Sequence, residues 1–261
     1  MMKRNILGLL LLLSLHWVSG QNISKRAISA GGGYFSNSNF NVSSTLGETF
    51  TATIGGGLVL SQGFQQKASV DSGVYLNLTA FIQGFYVGGG LMNSSLGDPL
   101  MSNIADNITV ELHDTIAGHP LSFMGKGSLH TDGTASILFS PMSIGKSYYV
   151  VFKQRNSIET WSATPVLITN NGAEYNFSNA ANKSAGDNLA DMGDGNFAIF
   201  SGDINQDGSV DFNDYPPIEI SSNNGDFGYY ESDLNGDTSV DFNDYPILDI
   251  NSLLGIIVFV P

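Results

Sequence analysis

Ser209-Val210-Asp211-Phe212-Asn213-Asp214-Tyr215-Pro216 returns letter for letter as Ser239-Val240-Asp241-Phe242-Asn243-Asp244-Tyr245-Pro246. A return at a fixed offset marks a duplicated structural unit. Just upstream, each copy carries oxygen-bearing side chains at alternating positions: Asp203, Asn205 and Asp207 in the first, Asp233, Asn235 and Asp237 in the second. Counted from the leading Asp, the side-chain oxygens fall at positions 1, 3, 5, 9 and 12, the last two being Asp211 and Asp214 or Asp241 and Asp244. Ser209 and Ser239 stand at position 7. This is the ligand spacing of a calcium loop of the EF-hand type, where side chains 1, 3 and 5 of a tight coil point inward and position 7 offers its carbonyl. The spacing therefore predicts two Ca2+ ions, one per loop. Val210 and Val240, at position 8, are expected to pair the two loops through a short strand and a shared apolar contact.

The two loops are not identical. Gly208 stands at the sharp turn of the first, whereas Thr238 takes that place in the second, and Asn235-Gly236 offers a turn earlier in that loop. The second site is thus expected to be intact but weaker. Twelve of the chain's 24 acidic residues lie beyond residue 200, where there is no Lys or Arg. Without a divalent ion such a segment repels itself, so metal binding and folding should be coupled.

With Asp at position 12, Asn at position 3 and no full helix ahead of either loop, Ser201 to Leu254 resembles a type I dockerin, the module that docks secreted proteins onto cohesin domains. The resemblance implies a cohesin-like or other surface protein as partner. It also implies that loop positions 10 and 11, Phe212-Asn213 and Phe242-Asn243, contact that partner. Read from the residues alone, Phe212 and Phe242 serve equally well as core, with Asn213 and Asn243 as the exposed pair. Tyr215-Pro216-Pro217 and Tyr245-Pro246 depart from the dockerin pattern. Proline removes a backbone donor and biases the preceding residue away from the helical region. We therefore expect about one helical turn after each loop, a break, and a second short turn through Ile218 or Leu248. Leu253 to Val260 suits a final strand or packing under the loops.

At the other end, Lys3-Arg4, the apolar run Ile6 to Leu15 and the small residues Val18-Ser19-Gly20 read as a secretory signal over residues 1–20, cut near Gly20 or Gln21. The expected product is secreted or held at the cell surface, with no membrane insertion after cleavage. Residues 21–70 read as a strand-rich arm and linker. Its Gly31-Gly32-Gly33, Leu46-Gly47-Glu48 and Leu60-Ser61-Gln62-Gly63-Phe64 resemble an N-terminal segment of exported proteins of Gram-negative bacteria that use type IX secretion. No typical C-terminal sorting domain of that route is evident.

From Val74 the pattern changes to alternation, with Val74, Leu76, Leu78, Ala80 and Ile82 on one face and Tyr75, Asn77, Thr79 and Phe81 on the other. Further strands are expected at Ile108 to His113, Ala135 to Phe139, Ser147 to Lys153 and Thr160 to Thr169, separated by turn residues. Residues 71–197 are accordingly expected to form an antiparallel β-sandwich and linker, ahead of the loop pair at 198–261, so that the fold class is mainly β. The segment resembles the small transthyretin-like sandwiches that precede dockerins, most closely over Val150 to Ala163. Residues 170–196 read as a solvated connection whose Asp187, Asp191 and Asp194 match no metal-loop spacing.

A net charge of −14 argues against nucleic acid and anionic membrane surfaces. The absence of Cys excludes disulfides, thiol catalysis, Cys-ligated metals and a lipoprotein anchor. His113, His119 and His130 are read as surface histidines, His113 on the solvent face with Thr109 and Glu111. There is no HExxH or GxSxG motif, and the acids outside the loops form no recognisable glycosidase pair. The leading expectation is a secreted, noncatalytic calcium-binding protein of extracellular or cell-surface assembly. A glycan-binding adhesin and an accessory component of polysaccharide degradation stand as alternatives.

Overall fold

The computed structural model describes residues 73–97 and 102–261, and the backbone alone of Gly32–Ser36 and Asn41–Thr45. The signal at 1–20, the rest of the 21–70 arm and the linker up to residue 72 lie outside the described residues. The chain divides into two compact units, Met1–Val70 and Asp71–Pro261. In the first, β1 (Gly32–Ser36) and β2 (Asn41–Thr45) pair antiparallel.

In the second unit the alternating stretch forms β3 (Val74–Thr79), with Val74, Leu76 and Leu78 buried. The alternation stops there. Ala80, Phe81 and Ile82 are all buried, so Phe81 does not lie on an outer face with Tyr75. Beyond Thr79 the chain leaves the strand and dives under a small hairpin, β4 (Tyr86–Gly88) and β5 (Leu91–Met92), whose Tyr86 ring packs on Phe81 at 5.0 Å between centroids.

The remaining strands are β6 (Ile104–Asp114), β7 (Leu121–His130), β8 (Thr134–Phe139), β9 (Ser147–Lys153), β10 (Thr160–Trp161), β11 (Val166–Leu167), β12 (Ala173–Asn176), β13 (Ala190–Asp191) and β14 (Phe197–Ala198). One sheet runs β10-β9-β6-β7, with β11 also pairing with β9; another runs β12-β3-β8. The fold is mainly strands in antiparallel pairs, with β12 alongside β3 as a parallel exception. Leu76, Ile137 and Phe139 from the second sheet share one core with Val110, Leu112, Val150 and Phe152 from the first.

Two strands depart from the sequence pattern for steric reasons. β7 is not announced by hydrophobic periodicity because Gly125 and Gly127 interrupt its inner face. A Cβ at either would stand 2.5 Å from the Ile137 side chain, so the glycines let β7 lie close over β8. The strand expected over Thr160 to Thr169 is reduced to two short pieces around Ala163-Thr164-Pro165, where proline cannot donate to a ladder. Residues 170–196 are more than a solvated connection. They supply β12 and β13 and bury Phe177, Ala185 and Leu189, while Asp187, Asp191 and Asp194 stay exposed.

The expected break at the prolines does not occur. Two ten-residue helices, α1 (Tyr215–Asn224) and α2 (Tyr245–Leu254), follow the loops. Each begins after the aspartate at loop position 12, which places Pro216, Pro217 and Pro246 in the first turn. The amides there have no intrahelical partner, so losing one costs nothing, and a fixed φ favours the start. Gly225 and Gly255 end the helices in the left-handed conformation.

The loops also do not pair with each other through Val210 and Val240. The segment after α2 returns to the first loop, with Val210 N–H donating to Ile256 O at 2.8 Å and Val258 N–H to Gly208 O at 2.9 Å. The segment after α1 goes to the second loop, with Val240 N–H donating to Asp226 O at 3.1 Å and Gly228 N–H to Thr238 O at 2.7 Å. Each repeat thus closes the loop of the other. The helices exchange contacts likewise: Tyr215 Oη donates to Asp249 of α2 at 2.6 Å, and Tyr245 Oη lies 3.0 Å from Ser222 Oγ of α1. No described helix is long and apolar enough to cross a membrane.

Candidate functional site

Both loops coil tightly because their aspartates hold their own backbone. Asp203 accepts from the N–H of Asp207 at 3.1 Å on one oxygen and of Gly208 at 3.2 Å on the other. Asp233 does the same with Gly236 at 2.8 Å and Thr238 at 3.2 Å. At the far end Asp214 accepts from Ile204, Asn205 and Asp211, and Asp244 from Leu234, Asn235 and Asp241. Residues at position 12 are thereby tied to the start of each loop. Between them, Asn205 donates to Asp207 at 2.9 Å and Asn235 to Asp237 at 3.0 Å. Asp207 and Asp237 accept from the N–H groups of Ser209 and Ser239, and Asp211 and Asp241 from those of Asn213 and Asn243.

Asp203, Asp214, Asp233 and Asp244 are all buried. Burial and the charge of Asp214 push the Asp203 carboxyl up to about 6. Burial likewise pushes Asp233 up to about 6, with nearby Arg155 opposing the shift and Asp244 adding to it. Asp214 and Asp244 are raised by burial against the pull of their backbone hydrogen bonds. A cation in each loop would relieve this excess of buried negative charge. The donors are all oxygen, the chemistry that suits a hard ion, and a carboxylate oxygen accepting one N–H keeps a lone pair for another partner. The residues present therefore suit calcium by type. Among the described residues, no three His or acidic side chains form a group able to hold a metal ion.

Two positions per loop take a positive φ. They are Gln206 at 58° and Gly208 at 88° in the first loop, and Gly236 at 71° and Thr238 at 70° in the second. Each loop spends its single glycine at a different turn. At Gly236 packing demands it as well, since a Cβ would stand 2.8 Å from the Phe85 ring.

The partner-contact residues inferred from the resemblance are all exposed. Phe212 is 86% and Phe242 89% exposed, and Asn213 and Asn243 are exposed beside them, so neither phenylalanine belongs to the core.

One set of residues carries no sequence signal. Arg155, Asn156 and Ser157, just past β9, hold both loops. Asn156 O accepts from Gly202 N–H at 2.7 Å, and its side-chain amide donates to Glu231 O at 2.9 Å and Asp233 O at 2.8 Å. Ser157 O accepts from Gln206. Arg155 Nε donates to Asp106 Oδ2 at 2.9 Å, and its Nη2 lies 3.6 Å from Asp233 Oδ2. Tyr229 Oη donates to the other Asp106 oxygen at 2.7 Å, and its ring lies under the guanidinium at 4.4 Å. No periodicity or spacing links residue 155 to residue 233.

Elsewhere, His113 and Glu111 are not on an open solvent face. The His113 ring packs tilted against Trp161 with centroids 4.5 Å apart, and its Nε2 lies 2.9 Å from Glu111. Lys153 reaches Glu111 at 3.7 Å and Glu159 at 2.7 Å, and Trp161 Nε1 donates to Glu159 at 2.6 Å. The outer face of β6 and β9 is covered here by buried Trp161, and Glu111 and Glu159 form an ion network with Lys153 and His113. No family model, curated protein or solved structure matches the chain.

Proposed function

We propose that residues 198–261 form a dockerin-like pair of EF-hand-type loops that bind two Ca2+ ions, borne on a β-sandwich and used for extracellular or cell-surface protein assembly without catalysis. Asp203, Asn205, Asp207, Ser209, Asp211 and Asp214 would hold one ion, and Asp233, Asn235, Asp237, Ser239, Asp241 and Asp244 the other. Calcium would neutralise the buried carboxylates and fix the loops. A protein with a cohesin-like or other complementary surface would meet Phe212, Asn213, Phe242 and Asn243. The signal-like N-terminus supports export to a compartment where calcium is plentiful enough for extracellular modules.

The observation that carries this reading is the duplicated burial of aspartates at positions 1 and 12 in a segment that contains no Lys or Arg. Two sheets sharing one core support the sandwich, and an uninterrupted helix after each loop supports the loop-helix module. Isothermal titration calorimetry of the purified protein with calcium tests it. Two binding events are expected, with Asp203→Ala removing one and Asp233→Ala the other; a chain that takes up no calcium would end the proposal.

A further inference from the structure

The loops differ in what surrounds their first aspartate. Asp203 has hydrogen bonds only from its own loop, and among the described residues no ion pair reaches it. Asp233 faces Arg155, whose Nη2 lies 3.6 Å from Oδ2, within ion-pair range but too far for a hydrogen bond. The Arg155 side chain is only 8% exposed, and its Nη1 and Nη2 have no hydrogen-bond partner. The guanidinium is anchored by Asp106 at 2.9 Å and flanked by the rings of Tyr229 at 4.4 Å and Phe85 at 5.7 Å. Asp106 of β6 and these two rings fix its position, and its unpaired Nη2 is turned to the leading carboxylate of the second loop.

We propose that Arg155 sets the calcium affinity of the second loop by acting as a tethered competitor for Asp233. This rests on the calcium reading above. A buried positive charge beside Asp233 repels an incoming divalent ion and already meets part of the carboxylate's electrostatic demand. The second loop therefore stays docked on the strands without metal and fills last, while the first loop has no resident cation and fills first. Metal entering the second loop takes Asp233 from Arg155, which keeps Asp106 and the Tyr229 ring. Filling of that loop is in this way coupled to the contact between loop and strands.

Calcium calorimetry on the full chain and three variants tests the proposal. Arg155→Met removes the charge, Arg155→Lys keeps it, and the double variant Arg155→Met with Asp106→Asn avoids leaving Asp106 buried without its cation. Asp233→Asn identifies which event belongs to the second loop. The unaltered chain should show two affinities at least about tenfold apart. Arg155→Met and the double variant should tighten the weaker event about tenfold or more and leave the stronger one within twofold, and Arg155→Lys should keep the weaker event weak. A weaker event unmoved by charge removal, or both events moved equally, overturns the role of Arg155 while leaving the calcium reading intact. No calcium uptake by the unaltered chain overturns both.

Discussion

The two repeats share eight consecutive residues and, from Asp207 and Asp237 onward, the same sequence of buried and exposed positions, yet their loops meet different surroundings: Gln206 is exposed where Gly236 is buried. The first is closed by the 256–258 segment and touches the strands through Gly202 and Gln206. The second is closed by 226–228, pressed against Arg155, Asn156 and Phe85, and its Leu234 carbonyl abuts Gly84 so closely that no Cβ could stand there. Identical loop carboxylates therefore do not imply identical surroundings. The oxygen groups come from the repeat, and the electrostatic environment comes from what the repeat is packed on.

The largest effect should come from removing calcium. Saturation at about a hundred times Kd stabilises by about 2.7 kcal/mol per site, so chelation should lower the melting temperature by roughly 10–20 °C for a unit of this size. Scanning calorimetry with and without a chelator measures it, and an unchanged transition would remove metal from the comparison altogether.

Next comes a truncation that separates the repeats. Deleting 256–261 takes away the strand partner of Val210 and leaves that of Val240 in place. Calcium titration should then lose the tighter event and keep the weaker one. Loss of both together would show the loops to be a single cooperative element.

The metal-free protein should respond to pH in a characteristic direction. Burial on folding raises Asp203 and Asp233 from the ordinary aspartate value of about 4 to about 6. The native state thus holds protons that the unfolded chain releases first. Their contribution to stability is greatest below about pH 4, declines through the window from 4 to 6, and is lost above it. A calcium ion would bind the deprotonated form, so if the loops take it up its presence should reverse the slope. Chemical denaturation at several pH values in chelator and in calcium reads both slopes.

A smaller effect sharpens the contrast at the turns. Thr238 carries a β-branched side chain at φ 70°, so Thr238→Gly should stabilise the second loop by about 1 kcal/mol. Gly208→Thr should cost the first loop a similar amount or more, because its new Cβ would meet Val258 at 3.3 Å. Smallest of all for stability is the exposed pair. Phe212→Asp with Phe242→Asp should shift unfolding by no more than about 0.5 kcal/mol. The same double variant should abolish capture by a cohesin-bearing partner, and retained capture would move the contact elsewhere.

Much of the strand content was legible. β3 and β9 follow from alternation and β-branched runs, with β9 matching Ser147 to Lys153 end to end. β7 was not, because Gly125 and Gly127 are chosen for their lack of volume against Ile137, which hydropathy cannot register. The helices escape the sequence pattern because proline past a first turn breaks a helix, whereas these begin only at Tyr215 and Tyr245 and so hold their prolines inside the first turn. A shift of the helix start by less than one turn decides whether proline breaks or begins it. The tight coiling of the loops is local, with Asp203, Asp214, Asp233 and Asp244 bonded to backbone of their own loops, so it follows from local sequence. The contact of Arg155 with Asp233 does not, because it exists only once the strands have folded beneath the loop.

The crossing of the tails bears on how such a repeat could live alone. A chain carrying only the first loop and α1 would leave the edge beside Val210 unpaired and would offer its own 226–228 segment to no one. Two such half-length chains could satisfy each other by trading segments, giving a twofold dimer with the same strand pairs. The single-chain arrangement reads as that dimer fused end to end, and cutting the connection between α1 and the second loop should leave two pieces that still find each other.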